Sequence, residues 1–291
     1  VFDNSRALVW DSQDKSIIIG GLSGSIYRWY FENPEAMPEP IFQVQGGVMN
    51  MRMREFKTET GVESYLLVGT GEGIFYIFKD FGGALDLVGK FLGHSPQVDN
   101  TNLQFGSLKH FAEIWSVIFS PHQKEFLVTA SEDQSCRVWN AEDFFNPESV
   151  EKKASMLHKL EGHTLAVTSV DWKVMNEKLG EVFISCSDDH HIRVYDPKDG
   201  FKFLYEDYTT KMTREWHTLT YLALEPNGHR LAIAAQNGYF FIYDLLLRRF
   251  VYADKLHMGS IEGLDWKKDV IATCSSDNTI GVIRLQKPKL Q

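Results

Sequence analysis

Two aspartates and two histidines stand in a row at Asp188-Asp189-His190-His191. These are side chains that ligate zinc and other transition metals. Neighbouring residues along a strand and its turn point apart, so few of the four can converge on one ion. No metal or cofactor is expected. A second constellation pairs His163 with Asp189 and the nearby Ser187, and His110 with Asp133 and Ser131. A carboxylate, an imidazole and a hydroxyl are the parts of a nucleophilic triad. Here the set occurs twice, which favours a buried hydrogen-bond network that fixes turns over a unique active site. The chain is not expected to be an enzyme. Gly69-Thr70-Gly71-Glu72-Gly73 departs from both phosphate-loop patterns and lies between two strand-like runs, so a turn is expected. Cys136, Cys186 and Cys274 contain no CxxC pair and make no disulfide framework.

Composition narrows the classes further. The 291 residues include 39 acidic and 30 basic side chains, a net charge of -9. That argues against direct nucleic-acid binding and against broad attraction to anionic membranes, although a local basic patch could survive it. The short basic clusters Lys152-Lys153, Arg248-Arg249 and Lys267-Lys268 are read as solvated faces. No apolar run has the length of a spanning helix, so no membrane insertion is expected. Free cysteines and the absence of a visible signal peptide lead to an intracellular expectation, cytoplasmic or nuclear.

The elements that must position these residues form a repeat. Thr129-Ala-Ser-Glu-Asp133-Gln-Ser-Cys-Arg-Val-Trp139 returns as Ser185-Cys-Ser-Asp-Asp189-His-His-Ile-Arg-Val-Tyr195 and as Thr273-Cys-Ser-Ser-Asp277-Asn-Thr-Ile-Gly-Val-Ile283. With three weaker copies, a turn residue precedes a large apolar one in Ser23/Trp29, Glu72/Phe78, Asp133/Trp139, Asp189/Tyr195, Asn237/Tyr243 and Asp277/Ile283. The turn residues lie 49, 61, 56, 48 and 40 apart. Each unit reads as short β-rich runs around a Gly-, Ser-, Asp- or Asn-rich turn. An earlier strand carries Trp10, Phe119, Trp172 and Trp266 at one shared place, and outer strands fit 40–44, 85–91, 156–160, 201–205 and 250–253. The expectation is an all-β fold, a β-propeller of four-stranded antiparallel blades with six repeats visible.

At this point the chain resembles WD-repeat propellers over essentially its whole length. Leu160-Glu161-Gly162-His163, Ser187, Asp189 and Tyr195-Asp196 are similar to the family's Gly-His to Trp-Asp signature. The resemblance implies intra-blade tetrads of His163, Ser187, Asp189 and Tyr195, and of His110, Ser131, Asp133 and Trp139, with Lys109 in the usual glycine place. It also implies a ring of six or seven blades. The first repeat begins almost directly in its inner strand and the last stops after its third. The expected organisation is therefore one domain, 1–291, lacking an N-terminal closing strand or blade; the other reading is an open ring closed by a partner.

What the resemblance implies for function is a non-enzymatic scaffold or adaptor in an intracellular complex, binding other protein subunits or peptides. Its top face would gather Phe111, Glu132, Gln134, His190, Trp216, His217, Gln236, Met258 and Asn278. Trp216 stands out because it falls outside the regular aromatic places. Insertions at 92–113 and 142–153 are long for a compact repeat, and such loops are often functional. The pair Phe144-Phe145 in the second could anchor a partner or tuck onto the fold. The competing functions are a substrate receptor that presents proteins for modification, a propeller enzyme working in the funnel, and a phosphate or nucleic-acid binder.

Overall fold

Short runs of alternating apolar and polar residues, punctuated by turns, make strands of most of the chain. The computed structural model describes residues 4–59, 61–94, 112–121, 125–145, 155–175, 179–226 and 228–285. They form six antiparallel β-propeller blades. Blade 1 contains β1 (Ser5–Trp10), β2 (Ser16–Gly21), β3 (Ser25–Tyr30) and β4 (Glu39–Gln43). Blade 2 contains β5 (Val48–Thr58), β6 (Gly61–Thr70), β7 (Ile74–Asp80) and β8 (Leu85–Leu92). Blade 3 contains β9 (Ile114–Phe119), β10 (Phe126–Ser131), β11 (Cys136–Asn140) and β12 (Met156–Leu160), with the one-turn helix α1 (Glu142–Phe145) before β12. Blade 4 contains β13 (Val167–Val174), β14 (Glu181–Ser187), β15 (His191–Asp196) and β16 (Lys202–Tyr208). The one-turn α2 (Thr210–Thr213) leads to blade 5, with β17 (Leu219–Leu224), β18 (Arg230–Ala235), β19 (Tyr239–Asp244) and β20 (Arg249–Lys255). Blade 6 has three strands among the described residues, β21 (Ile261–Lys267), β22 (Val270–Ser275) and β23 (Ile280–Arg284).

The inner strand of blade 2 is the element sequence reading passes over. β5 alternates Met49, Met51 and Met53 with Asn50, Arg52 and Arg54, and unbranched methionine is a poor strand marker. Pairing with β6 over most of its length makes it a strand nonetheless.

The chain divides into two compact units, Val1–Glu161 and Gly162–Gln291. Within the first, Val48, Met51 and Leu66 of blade 2 pack on Ala7, Ile18 and Ile26 of blade 1. Ile114, Val117 and Phe119 of blade 3 then pack on Phe75, Ile77 and Tyr65 of blade 2. Within the second unit, Leu219, Leu222 and Leu224 of β17 cover Ile184, Cys186, Ile192 and Val194 of blade 4. Ile261, Trp266 and Ile271 in turn cover Ala232, Ala234 and Phe240 of blade 5. A blade is too thin to bury its own faces, so this stacking supplies the hydrophobic stabilisation. At the repeated aromatic place Phe119, Trp172 and Trp266 are buried, whereas Trp10 is exposed beside Phe31.

Blade 1 departs from the apolar rule at one buried position. Matched third strands carry Ile77, Val138, Val194 and Ile242 where blade 1 carries Arg28. Its guanidinium is fully buried, 3.2 Å from Asp11 and 2.9 Å from Asp80 of blade 2. It also donates to Ser16.

The turns between second and third strands share one backbone device. The residue after each repeated turn residue has positive φ: Gly24, Gly73, Gln134, His190, Gly238 and Asn278. At Gly238 a Cβ would lie 2.0 Å from the carbonyl oxygen of His257, so glycine is required there by close approach as well as by φ.

Candidate functional site

The His-Asp pairs fold into buried networks rather than open clefts. In blade 4, Nδ1 of His163 faces Oδ2 of Asp189 at 2.9 Å and Nε2 faces Oγ of Ser185 at 2.8 Å. The backbone N–H groups of Thr164 and His191 also donate to Asp189. Tyr195 fills the aromatic place and is buried. In blade 3 the histidine is His94: Nδ1 lies 2.8 Å from Asp133 and Nε2 lies 2.7 Å from Thr129. The indole Nε1–H of Trp139 donates to the same threonine oxygen at 2.9 Å. Blade 6 repeats the arrangement with His257, Thr273 and Thr279, and with Asp277 at 3.4 Å.

Two sequence expectations are corrected here. His94 holds the place assigned to His110, which lies outside the described residues. The sequence signal was present, because Gly93-His94 follows outer strand β8 as Gly162-His163 follows β12. The long segment before β9 hid it. The hydroxyl partners are Thr129 and Ser185, four residues before the aspartate, not Ser131 and Ser187, two before it. Ser131 and Ser187 sit at the strand ends, where each donates to a backbone carbonyl, of Glu113 and Leu165 respectively.

Connectivity alone would allow a triad, since carboxylate, imidazole and hydroxyl stand in series. Burial removes that chemistry: Thr129 and Ser185 are wholly inaccessible, and Thr129 already accepts the Trp139 indole. A nucleophile needs room for an acyl carbon beside its oxygen. Burial lowers the pKa of His94 and His163 despite the facing carboxylates. For Asp133 and Asp189 burial acts upward, and the histidine hydrogen bonds and remaining donors overcome it, holding both carboxyls well below the usual range. Neutral imidazole donating from Nδ1 to carboxylate, and accepting the hydroxyl proton at Nε2, satisfies every partner.

The pH consequence has one sign. A histidine whose folded pKa is depressed disfavours the folded state once pH falls below its unfolded value near 6.5. A depressed aspartate stabilises above its unfolded value near 3.8 and loses that contribution below it. The melting temperature should therefore be nearly level above about pH 7, drop from about pH 6.5 to pH 5, and drop faster below about 4. A flat profile between 7.5 and 5 would show that the buried histidines do not titrate against folding.

Blade 5 modifies the network. Asn237 replaces the aspartate, and Ile233 replaces the hydroxyl residue. His217, expected at an exposed position, is fully buried. The Asn237 amide donates to its Nδ1 at 2.7 Å, and Nε2 bonds Thr213 Oγ1 at 2.7 Å. Thr213 belongs to α2, so this histidine ties down the segment that carries Trp216. Trp216 is 60% exposed. Its ring lies 5.0 Å from that of His190 and 6.2 Å from that of Tyr208, which in turn lies 5.4 Å from His191. The Nδ1 atom of His190 is buried without a hydrogen-bond partner.

The remaining candidates are placed unit by unit. In the second unit Gln236 and Asn278 are exposed, as is Met258 at 84%, whose N–H donates to Asp277. In the first unit Gln134 is exposed, and exposed Glu132 accepts from Trp115 Nε1. Phe111 lies outside the described residues. Phe144 is a correction: it is fully buried against Phe75 and Phe91 of blade 2, which removes it as a partner anchor. Phe145 is half-buried against Tyr65 and Phe119. Among the described residues no group of three His, Cys, Asp or Glu side chains could hold a metal, so Asp188-Asp189-His190-His191 forms no such site.

A family model described as "WD domain, G-beta repeat" (WD40) matches residues 103–140 and 154–196. No curated protein matches the chain. Among solved structures, a chain of the mitotic checkpoint complex superposes with a TM-score of 0.69 at 12% identity, covering 97% of this chain and 75% of that one. A computationally designed protein, Ika8, superposes with a TM-score of 0.61 at 16% identity, covering 97% and 71%. At these identities the likeness is one of fold.

Proposed function

We propose that this chain, a β-propeller whose third and fourth blades carry WD repeats, is a non-enzymatic scaffold that captures a protein partner. WD-repeat propellers are commonly protein-interaction scaffolds, and they are reused across so many assemblies that the site must carry the argument. The observation that carries it is Trp216. A large aromatic ring stands exposed on a segment held by the hydrogen bond between Thr213 and the buried His217. Beneath it lies an imidazole nitrogen without a partner. Tryptophan is prominent among the residues that dominate interface energies, and anchors work best on preorganised supports. His217 is spent on support in this blade, which explains why its ring is buried rather than offered to a ligand.

The test begins with the full-length chain from its native extract and identification of stoichiometric, salt-stable co-purifying proteins. With that partner in hand, Trp216→Ala should weaken capture by at least tenfold, as for an aromatic hot spot, while the melting temperature stays within about 2 °C. Unchanged capture by the folded variant would remove Trp216 as the anchor. A chain that is monomeric and partnerless in native extract would overturn the scaffold reading itself. Localisation inside the cell is part of the same proposal, and fractionation of the native source tests it.

A further inference from the structure

The turn joining β19 to β20 is built unlike its counterpart in the blade before it. Blade 4 turns through Pro197-Lys198-Asp199-Gly200, with Asp199 paired to Lys202. Blade 5 turns through Leu245-Leu246-Leu247-Arg248 and continues to Arg249. Leu245 is buried, but Leu246 and Leu247 project, 39% and 58% exposed. The tip is rigid: Asp244 accepts the N–H groups of both, each at 2.9 Å. Asp244 is itself buried, and its other oxygen lies 3.2 Å from His229, so the carboxylate is occupied on both sides. Arg248 adopts positive φ and lies 4.5 Å over the ring of Tyr205. Arg249 is exposed next to it.

The turn therefore presents two exposed leucines beside two exposed arginines. Leucine is under-represented among protein hot spots. Apolar side chains that dip into the acyl boundary beside cations that remain at headgroup level are instead the chemistry of peripheral membrane attachment. We propose that this turn is a peripheral docking point for an anionic lipid surface. Each arginine near such a surface adds attraction that fades within a Debye length. The net charge of -9 means that the whole body adds none, so the contact is local and weak by itself. The proposal is independent of Trp216 and of any protein partner captured there.

Vesicle flotation of the full chain at low ionic strength tests it, comparing phosphatidylcholine alone with phosphatidylcholine containing phosphatidylserine. The chain should float only with the anionic vesicles. Leu246→Ser with Leu247→Ser should lower the bound fraction roughly tenfold, and Arg249→Glu by a similar factor, with melting temperatures unchanged. Arg248 is left alone because it packs on Tyr205. Failure of the native chain to float overturns the proposal. So does flotation that survives the double leucine substitution. Displacement of the vesicles by soluble polyglutamate, with the leucine variant bound normally, would assign the turn to an acidic polypeptide instead.

Discussion

Replacing Arg28 with valine is expected to destabilise the unit Val1–Glu161 by about 3–5 kcal/mol, although valine is what matched positions of blades 3 and 4 carry. The substitution leaves Asp11 and Asp80 buried without the cation between them. Asp80 keeps the Ser12 and Gly82 donors, and Asp11 keeps Ser16, Gln13 and Lys15. Those bonds limit the penalty without cancelling two buried charges. Burial pushes the Asp80 carboxyl up, and hydrogen bonds from Ser12 and Arg28 more than offset it, so its pKa lies below the ordinary value. Without Arg28 it rises. The deficit of the variant should therefore be largest near neutral pH and shrink towards pH 4, where protonation neutralises the orphaned acid. Denaturant melts of Arg28→Val, Asp80→Asn and the double variant read this directly. The double variant should lose less than the sum of the singles, with a coupling of about 1–3 kcal/mol. A loss below about 1 kcal/mol for Arg28→Val would mean that the interface admits water and the carboxylates are solvated.

The same arginine shows why a pattern reads the fold more easily than its exceptions. Strand alternation and six recurring turn residues identify the blades because both are local signals. Most strand bounds fall within a few residues of expectation, and β12 matches it at both ends. Arg28 occupies a place where alternation demands an apolar residue, and only its neighbours in space, Asp11 and Asp80, make it admissible. Asp80 lies in the next blade, 52 residues away. No window of sequence contains that pair.

The site was legible to the same extent. Recurrence picked out Asp133 and Asp189 because they sit at fixed distances from Trp139 and Tyr195 within one hairpin. The histidines lie outside the hairpin, on the segment entering each blade, and that segment varies in length. His163 and His257 precede their inner strands by four residues, but His94 is separated from β9 by an insertion. Counting back from Phe119 thus lands on the wrong histidine. The choice of hydroxyl failed for a different reason. Thr129 and Ser131 alternate onto the same strand face, as do Ser185 and Ser187, so periodicity ranks them equally and only hairpin geometry separates them. His217 failed because Asn237 and Ile233 erase two of the three repeat markers around it. The loss of those markers is what frees His217 to hold α2, so the least legible network is the one that supports the exposed tryptophan.

Phe144→Ala should separate core packing from partner anchoring. Its ring centroid lies 4.4 Å from that of Phe91 and 5.5 Å from that of Phe75, and the side chain is wholly buried. Truncation removes most of a phenylalanine from a closed aromatic cluster, a loss of about 3–5 kcal/mol when the cavity does not collapse. Phe145→Ala opens a half-solvated space beside Tyr65 and Phe119 and should lose about half as much. An anchoring role predicts the reverse order of effects, with capture reduced and melting unchanged. Short α1 explains the outcome in sequence terms. Its acidic Glu142 and Asp143 gave the segment the look of a solvent-facing loop, yet the helical turn sends Phe144 inward as the lid on the cluster of blade 2. Measured together, the melting temperature of each variant and its capture per folded molecule decide the matter. A folded Phe144→Ala chain with native stability and lost capture would overturn the packing assignment and return the insertion to the binding surface.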